Sequence, residues 1–364
     1  MSRMRAVSES LVLIFTLLLG AAPLAVRAQD ATPMAGALPD GAEVVASGLT
    51  NPRGFTWGAD GTMFVGLAGS GGNTPGPEGS PFTGGPTAGV AAIRDGEVTM
   101  LATGLASAIM RDVDWVWGVN DVEILGDQLY ALVGGGGVGA GNPEQPSGVY
   151  LITADGAATL VADLGTWVDA NPVAHTPPEG APNGGSFFDM APVGEALWVV
   201  DAVNGQVLQV TLAGEITRIV DLSEGHPVPS GIAPDPAGGA YVADLTPAPY
   251  VEGSATVRHV ALDGTVSEVW TGLTTVTGVE VGRDGALYVA EMSSEISDAE
   301  PFLTEGSGSI LRQTGPDTEE VVASGLDYPV ELGFGPDGGL YVAVPAFGAD
   351  EGTGEIIRLE PAAS

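Results

Sequence analysis

The feature that most constrains this chain is a copy. EVVASGL at Glu43–Leu49 recurs letter for letter at Glu320–Leu326. The likeness then continues, with NPRGFTWGADGTMFV at Asn51–Val65 answering DYPVELGFGPDGGLYV at Asp327–Val342. Weaker copies fill the space between. A unit repeated along a chain specifies an array of small stacked elements. Matching segments at its two ends specify an array that bends round until those ends meet.

After residue 41 the pattern is short apolar or alternating runs broken by Gly-containing turns, with no long segment of helical period. That predicts an all-β chain. One aromatic position marks each repeat: Phe64, Tyr130, Trp198, Tyr241, Tyr288 and Tyr341. A tight turn precedes each, clearest in GADG (58–61), GRDG (282–285) and GPDG (335–338), where Asp-Gly supplies the positive φ of a two-residue hairpin. Six first, six second and six third strands can be laid out in this way, but only five fourth strands follow them. The orphan segment 43–48 supplies the sixth, and is predicted to pair beside Glu355–Glu360 in the last blade and close the ring. The expected fold is a six-bladed β-propeller, a single domain over 42–364.

The insertions are one-sided. Second-to-third-strand loops are long at Ala68–Ala88, Gly134–Ser147, Leu245–Ser254, Met292–Gly308 and Pro345–Gly354, and fourth-to-first connections at Leu105–Val119 and Gly165–Ser186. In a propeller both kinds of loop emerge on one face, so function is expected there.

Residues 1–28 read as a cleaved signal peptide: a basic start, the apolar run LVLIFTLLLGAAPLAV, and a small-residue site at Val26-Arg27-Ala28. Residues 29–41 read as an Ala/Pro/Gly-rich linker. The expectation is a secreted or periplasmic protein, monomeric and with no membrane insertion after cleavage. Cysteine is absent, which excludes disulfides and a lipidated Cys anchor. The net charge is −35 and every basic residue is Arg, so nucleic acid is a poor partner.

Alignment of the first strands reads Gly54, Asp121, Asp189, Gly231, Gly278, Glu331 at one inward position. Two residues on it reads Thr56, Glu123, Ala191, Ala233, Glu280, Gly333. First strands line the central channel, so Asp121, Glu123, Asp189, Glu280 and Glu331 are predicted to converge there. They would repel one another unless protonated, solvated or bridged by a cation. Ca²⁺, which takes six to eight oxygens, is the candidate cofactor, and a water-filled acidic channel is the alternative. Zinc suits the chain less well, because His175, His226 and His259 are not spaced for ligation. A second set of acids, Asp201, Asp244 and Glu291, ends the second strands, either to hold the following loops or as ligands at the rim. Arg53 enters blade one at the channel mouth, as an ion-pair partner for nearby acids or an anchor for an anion. Asn51 and Asn183 hold similar positions and cap turns or bind ligand. Trp115, Trp117, Trp167 and Tyr250 fall on the elaborated face, as local cores or as a platform for a small molecule, glycan or protein.

The stretch VVASGLTNPRGFTWGADGTMFVGLAG, with its partner VVASGLDYPVELGFGPDGGLYVA, resembles the ScyD/ScyE family, exported NHL-repeat-like propellers named from scytonemin clusters. The likeness covers Ala42 to about Glu360 and implies fold and export, but no established reaction. The pattern is shared with NHL and gluconolactonase-type propellers. The gluconolactonase family holds a divalent metal through a Glu, an Asn and an Asp. Asn183-Gly184 resembles its Asn-Gly, while its early Glu is missing from NPRGF. Quinoprotein sugar dehydrogenases use a His base and cationic residues, in which this chain is poor. Two readings therefore stand: a binding module acting through the loop-rich face, or a metal-dependent lactone hydrolase using the channel carboxylates.

Overall fold

The computed structural model describes residues 38–39, 41–177, 184–346 and 351–360. The predicted signal peptide, most of the linker, and Asn183 lie outside them. The rest is a ring of six antiparallel β-sheets, five of them built from strands in chain order. Innermost are Pro52–Trp57, Val119–Leu125, Phe187–Val193, Pro229–Pro234, Val276–Val281 and Glu331–Phe334. Neighbouring inner strands touch all the way round, and the sixth touches the first. The strand Ala42–Leu49 lies antiparallel to Gly354–Leu359, with Glu43 opposite Arg358 and Val44 opposite Ile357, so the last sheet runs from Glu331–Phe334 outward to the start of the domain.

Alternation along each strand sends one set of side chains into the seam between two blades. Six apolar clusters result, one per seam. Val90, Val122 and Val133 fill the first, while Leu49, Val65 and Ile356 join blade six to blade one. Burying such residues is the main favourable term, at about 25 cal/mol per Å².

The Asp-Gly turns carry a second job that the local sequence does not announce. Each turn Asp accepts the backbone N–H two residues on, at 3.1 Å from Thr62 to Asp60 and 2.8 Å from Ala237 to Asp235. The same Asp meets a basic group from the third strand: Arg94 with Asp60, Arg312 with Asp284, and Arg358 with Asp337. In blade four that partner is His259, whose Nε2 stands 2.9 Å from Asp235, close but off the hydrogen-bond line. Scarce arginine is spent on the turns.

Blade one departs from expectation. Its third and fourth strands run Phe82–Arg94 and Glu97–Met110, well past the predicted limits, and Trp115–Trp117 adds a further short strand beside Met110. Gly84 and Gly85, which read as loop, oppose Ala108 and Ser107, so small residues on both strands let the backbones pair. The second long connection also holds a helix, Leu164–Ala170, capped by Asp163 accepting from the Thr166 N–H at 2.9 Å.

Candidate functional site

The five predicted acids do converge. Asp121, Glu123, Asp189, Glu280 and Glu331 line one cavity of ≈ 690 Å³, counting its open mouth, on the channel side of the inner strands. Glycines make room for them: a Cβ on Gly54 would lie 1.8 Å from Asp121 Oδ1, and one on Gly278 2.8 Å from Glu331 Oε1. This explains why small residues and carboxylates share one position in the repeat.

Two of the carboxylates, Asp121 and Asp189, are tied to the blade that follows. Asp189 accepts from the N–H groups of Met190 and Ile232, both at 2.7 Å, and Asp121 from Met190 at 3.3 Å. Glu331 accepts from Leu332 N–H at 2.9 Å. Burial is the largest influence on each, favouring the neutral acid. It lifts Asp189 to about 7 against its two backbone donors, and Glu280 likewise to about 7. Asp121, Glu123 and Glu331 are pushed well above the carboxylate range by burial and then by their acidic neighbours. Burial and mutual repulsion thus favour the neutral form of these acids.

For Ca²⁺ the fit is poor. Among the described residues no three His, Asp or Glu side chains are arranged to hold a metal ion. The oxygens of Asp189 already face backbone N–H donors, and rotating them inward would strand those donors.

The rim acids act as clamps. Asp201 accepts from Ser186 N–H, Asp244 from Val228 N–H and Glu291 from Thr274 N–H, at 3.0, 2.7 and 2.7 Å. Each thus holds the segment leading into its own blade's first strand. None lines either channel cavity.

A different arrangement occupies the loop-face mouth. Trp115, Trp117, Phe188 and Met292 wall a pocket of ≈ 480 Å³, counting space open to solvent, that also meets Arg53 and Glu331. In Trp115-Val116-Trp117 the alternation points both indoles one way and Val116 into a small core with Ala68 and Ile109. The two indole centroids are 6.0 Å apart, and Phe188 stands 6.4 Å from Trp115. Trp117 Nε1 donates to Ser186 Oγ at 2.9 Å, which fixes its plane. Trp115 also packs against the cluster of Leu245, Met292 and Tyr250, so the local-core reading holds for its outer edge.

The expected ion pair of Arg53 does not form. The residue is 6% exposed, and among the described residues no ion pair to a carboxylate is formed by it. Its partners are the backbone carbonyls of Pro52, Val116 and Pro345, at 3.1, 3.2 and 3.4 Å. The carboxyl of Glu331, which lines the same pocket, accepts from Leu332 N–H instead. Asn51, with φ 51°, ties down Gly69 O at 2.9 Å and is a structural cap. Trp167 lies away from the mouth, on the short helix, with Arg218 over its ring at 5.6 Å and its body against the blade two–three seam.

No protein-family model matches the chain, and no curated protein matches it either. Solved structures share the ring. A calcium-binding protein, regucalcin, from Agrobacterium tumefaciens is 14% identical over 90% of this chain and 94% of its own, with a TM-score of 0.55. A protein assigned as an oxidoreductase of glucose-dehydrogenase type from Thermus thermophilus is 17% identical over 87% and 98%, TM-score 0.53. A protein assigned as a gluconolactonase is 14% identical over 93% and 97%, TM-score 0.50. Identities this low carry the fold alone: the chain is a six-bladed propeller with gluconolactonase-like neighbours. Function has to come from the site.

Proposed function

We propose that this protein is an exported binding propeller of ScyD/ScyE type that takes a small molecule at the loop-face mouth of its channel. One observation carries the reading: Trp115, Trp117 and Phe188, from two separate parts of the chain, wall a single pocket over the channel axis. Rings held this way offer a flat apolar surface at low conformational cost, the usual lining of a small-ligand site. The test is a fragment library of flat molecules, neutral and charged, screened by ligand-observed NMR. Hits should compete with one another and be lost in Trp117→Ala. Hits that bind the variant equally, or no hits at all, overturn the reading.

A second reading is supported by the acid cavity: a Ca²⁺-dependent lactone hydrolase of gluconolactonase-like class. Asp121, Asp189 and Glu331 line that cavity, though not in an arrangement that holds an ion as the side chains stand. Binding would require the Asp189 oxygens to leave their backbone donors. Calorimetric titration of chelator-stripped protein with CaCl₂ tests it. Stoichiometric heat, abolished by Glu331→Ala together with lactone turnover, would establish it, whereas no heat and an unchanged melting temperature would remove it.

A further inference from the structure

Arg53 is the one group at the mouth whose chemistry the pocket's apolar walls do not explain. A guanidinium carries five N–H donors and a charge that persists at neutral pH. Burial pushes this one down to about 9, which still leaves it cationic at pH 7. Three of its hydrogen bonds go to backbone carbonyls, one each from the first strand of blade one, the Trp115–Trp117 strand and the loop leaving blade six. Those contacts orient the group and join three segments around the mouth. They use three donors and neutralise no charge, so among the described residues two donors and the positive charge are left without a partner.

A desolvated cation without a counter-charge is costly, and proteins seldom retain one unless something pairs with it. The candidates within the fold fail. Among the described residues Glu331 is the one carboxyl that lines the same pocket, and no ion pair joins it to Arg53. Its carboxyl is turned to Leu332 N–H, and burial and the neighbouring acids favour its neutral form. The other polar side chains at the mouth are occupied. Ser230 donates to Val276 O at 2.7 Å, Thr277 to Pro329 O at 2.9 Å, and Asn120 to Phe187 O at 2.7 Å. The pocket therefore offers one strong, unsatisfied recognition element, positive and planar, beside aromatic walls.

We propose that Arg53 is the anchor for the carboxylate of a small monoanionic ligand whose flat apolar body lies between Trp117, Trp115 and Phe188. This rests on the mouth pocket being the binding site. A carboxylate matches the guanidinium fork, which can donate two parallel hydrogen bonds to it. A single negative charge suits the mouth better than two, because a second would be driven toward Glu331 and the acids beneath it.

The experiment compares three near-isosteric probes on the unmodified protein: phenylacetate, phenylacetamide and phenethylamine. Binding is read by quenching of tryptophan fluorescence and, in parallel, by the rise in melting temperature with probe concentration. Phenylacetate should bind at least about tenfold more tightly than the amide, as expected when a charge-assisted bond replaces a neutral one. Arg53→Gln should abolish that preference. If that variant does not fold, the probe comparison on the intact protein decides alone. Equal binding of acid and amide, both lost in Trp117→Ala, would overturn the anchor and leave the pocket standing. Tightest binding by the amine would show that the acid cavity governs the mouth, and would also overturn it. If no probe binds, the anchor and the pocket reading fall together.

Discussion

Glu280 gives the sharpest test of the channel. Its side chain lines the acid cavity and is partly buried. Burial holds it near 7 in the fold, against 4.5 in the unfolded chain, with Val281 N–H opposing. The folded state thus binds this proton more tightly. Its contribution to stability is complete below pH 4.5 and is lost as pH rises through about 7. The loss is about 3 kcal/mol, at about 1.36 kcal/mol per pH unit of difference. Glu280→Gln keeps an acceptor for Val281 and cannot ionise. Urea unfolding of both proteins at pH 5 and pH 8 should show the variant gaining about 2–3 kcal/mol on the native protein between them. A constant difference would mean that Glu280 ionises as it does in water, and the burial argument would fail for its neighbours too. Millimolar Ca²⁺ adds a second arm. If it cancels the gain, a cation sits among the carboxylates and the hydrolase reading moves ahead.

Phenylacetate affinity should fall as pH rises through about 7, where Asp189 and Glu280 ionise and repel the bound carboxylate. A flat profile from pH 6 to 8 by fluorescence titration would separate the mouth from the cavity. Leu49→Ala removes a side chain 1% exposed in the closing seam and should cost about 2–5 kcal/mol. Deleting residues 42–49 should cost more, and an unchanged melting temperature in that truncated chain would refute the role of this strand. Asp201→Asn turns a carboxylate accepting from Ser186, Asn204 and Gln206 into a group that must also donate. A loss of about 2–4 kcal/mol in chemical denaturation is expected, and a loss under about 0.5 kcal/mol would mean the clamp is dispensable.

Strand alternation and turn chemistry are local, so the sequence alone determined the blades, the aromatic position in each, and which side of the inner strands carries Asp121, Glu123, Asp189, Glu280 and Glu331. The repeat of EVVASGL also marked the strand that pairs with Gly354–Leu359. What it could not decide depends on groups far apart in the chain. Arg53 was expected either to pair with nearby acids or to anchor an anion, and the fold turns its guanidinium to the carbonyls of Pro52, Val116 and Pro345, with no carboxylate among the described residues paired to it. Trp115 and Trp117 read as loop aromatics. Only the ring brings them to Phe188, about 70 residues on, and to Met292 from blade five. The paired strands Phe82–Arg94 and Glu97–Met110 were hidden for a related reason: glycines that read as loop become strand when another backbone lies close enough to pair. Period and propensity are written along the chain, whereas desolvation and partner choice exist only once the ring has formed.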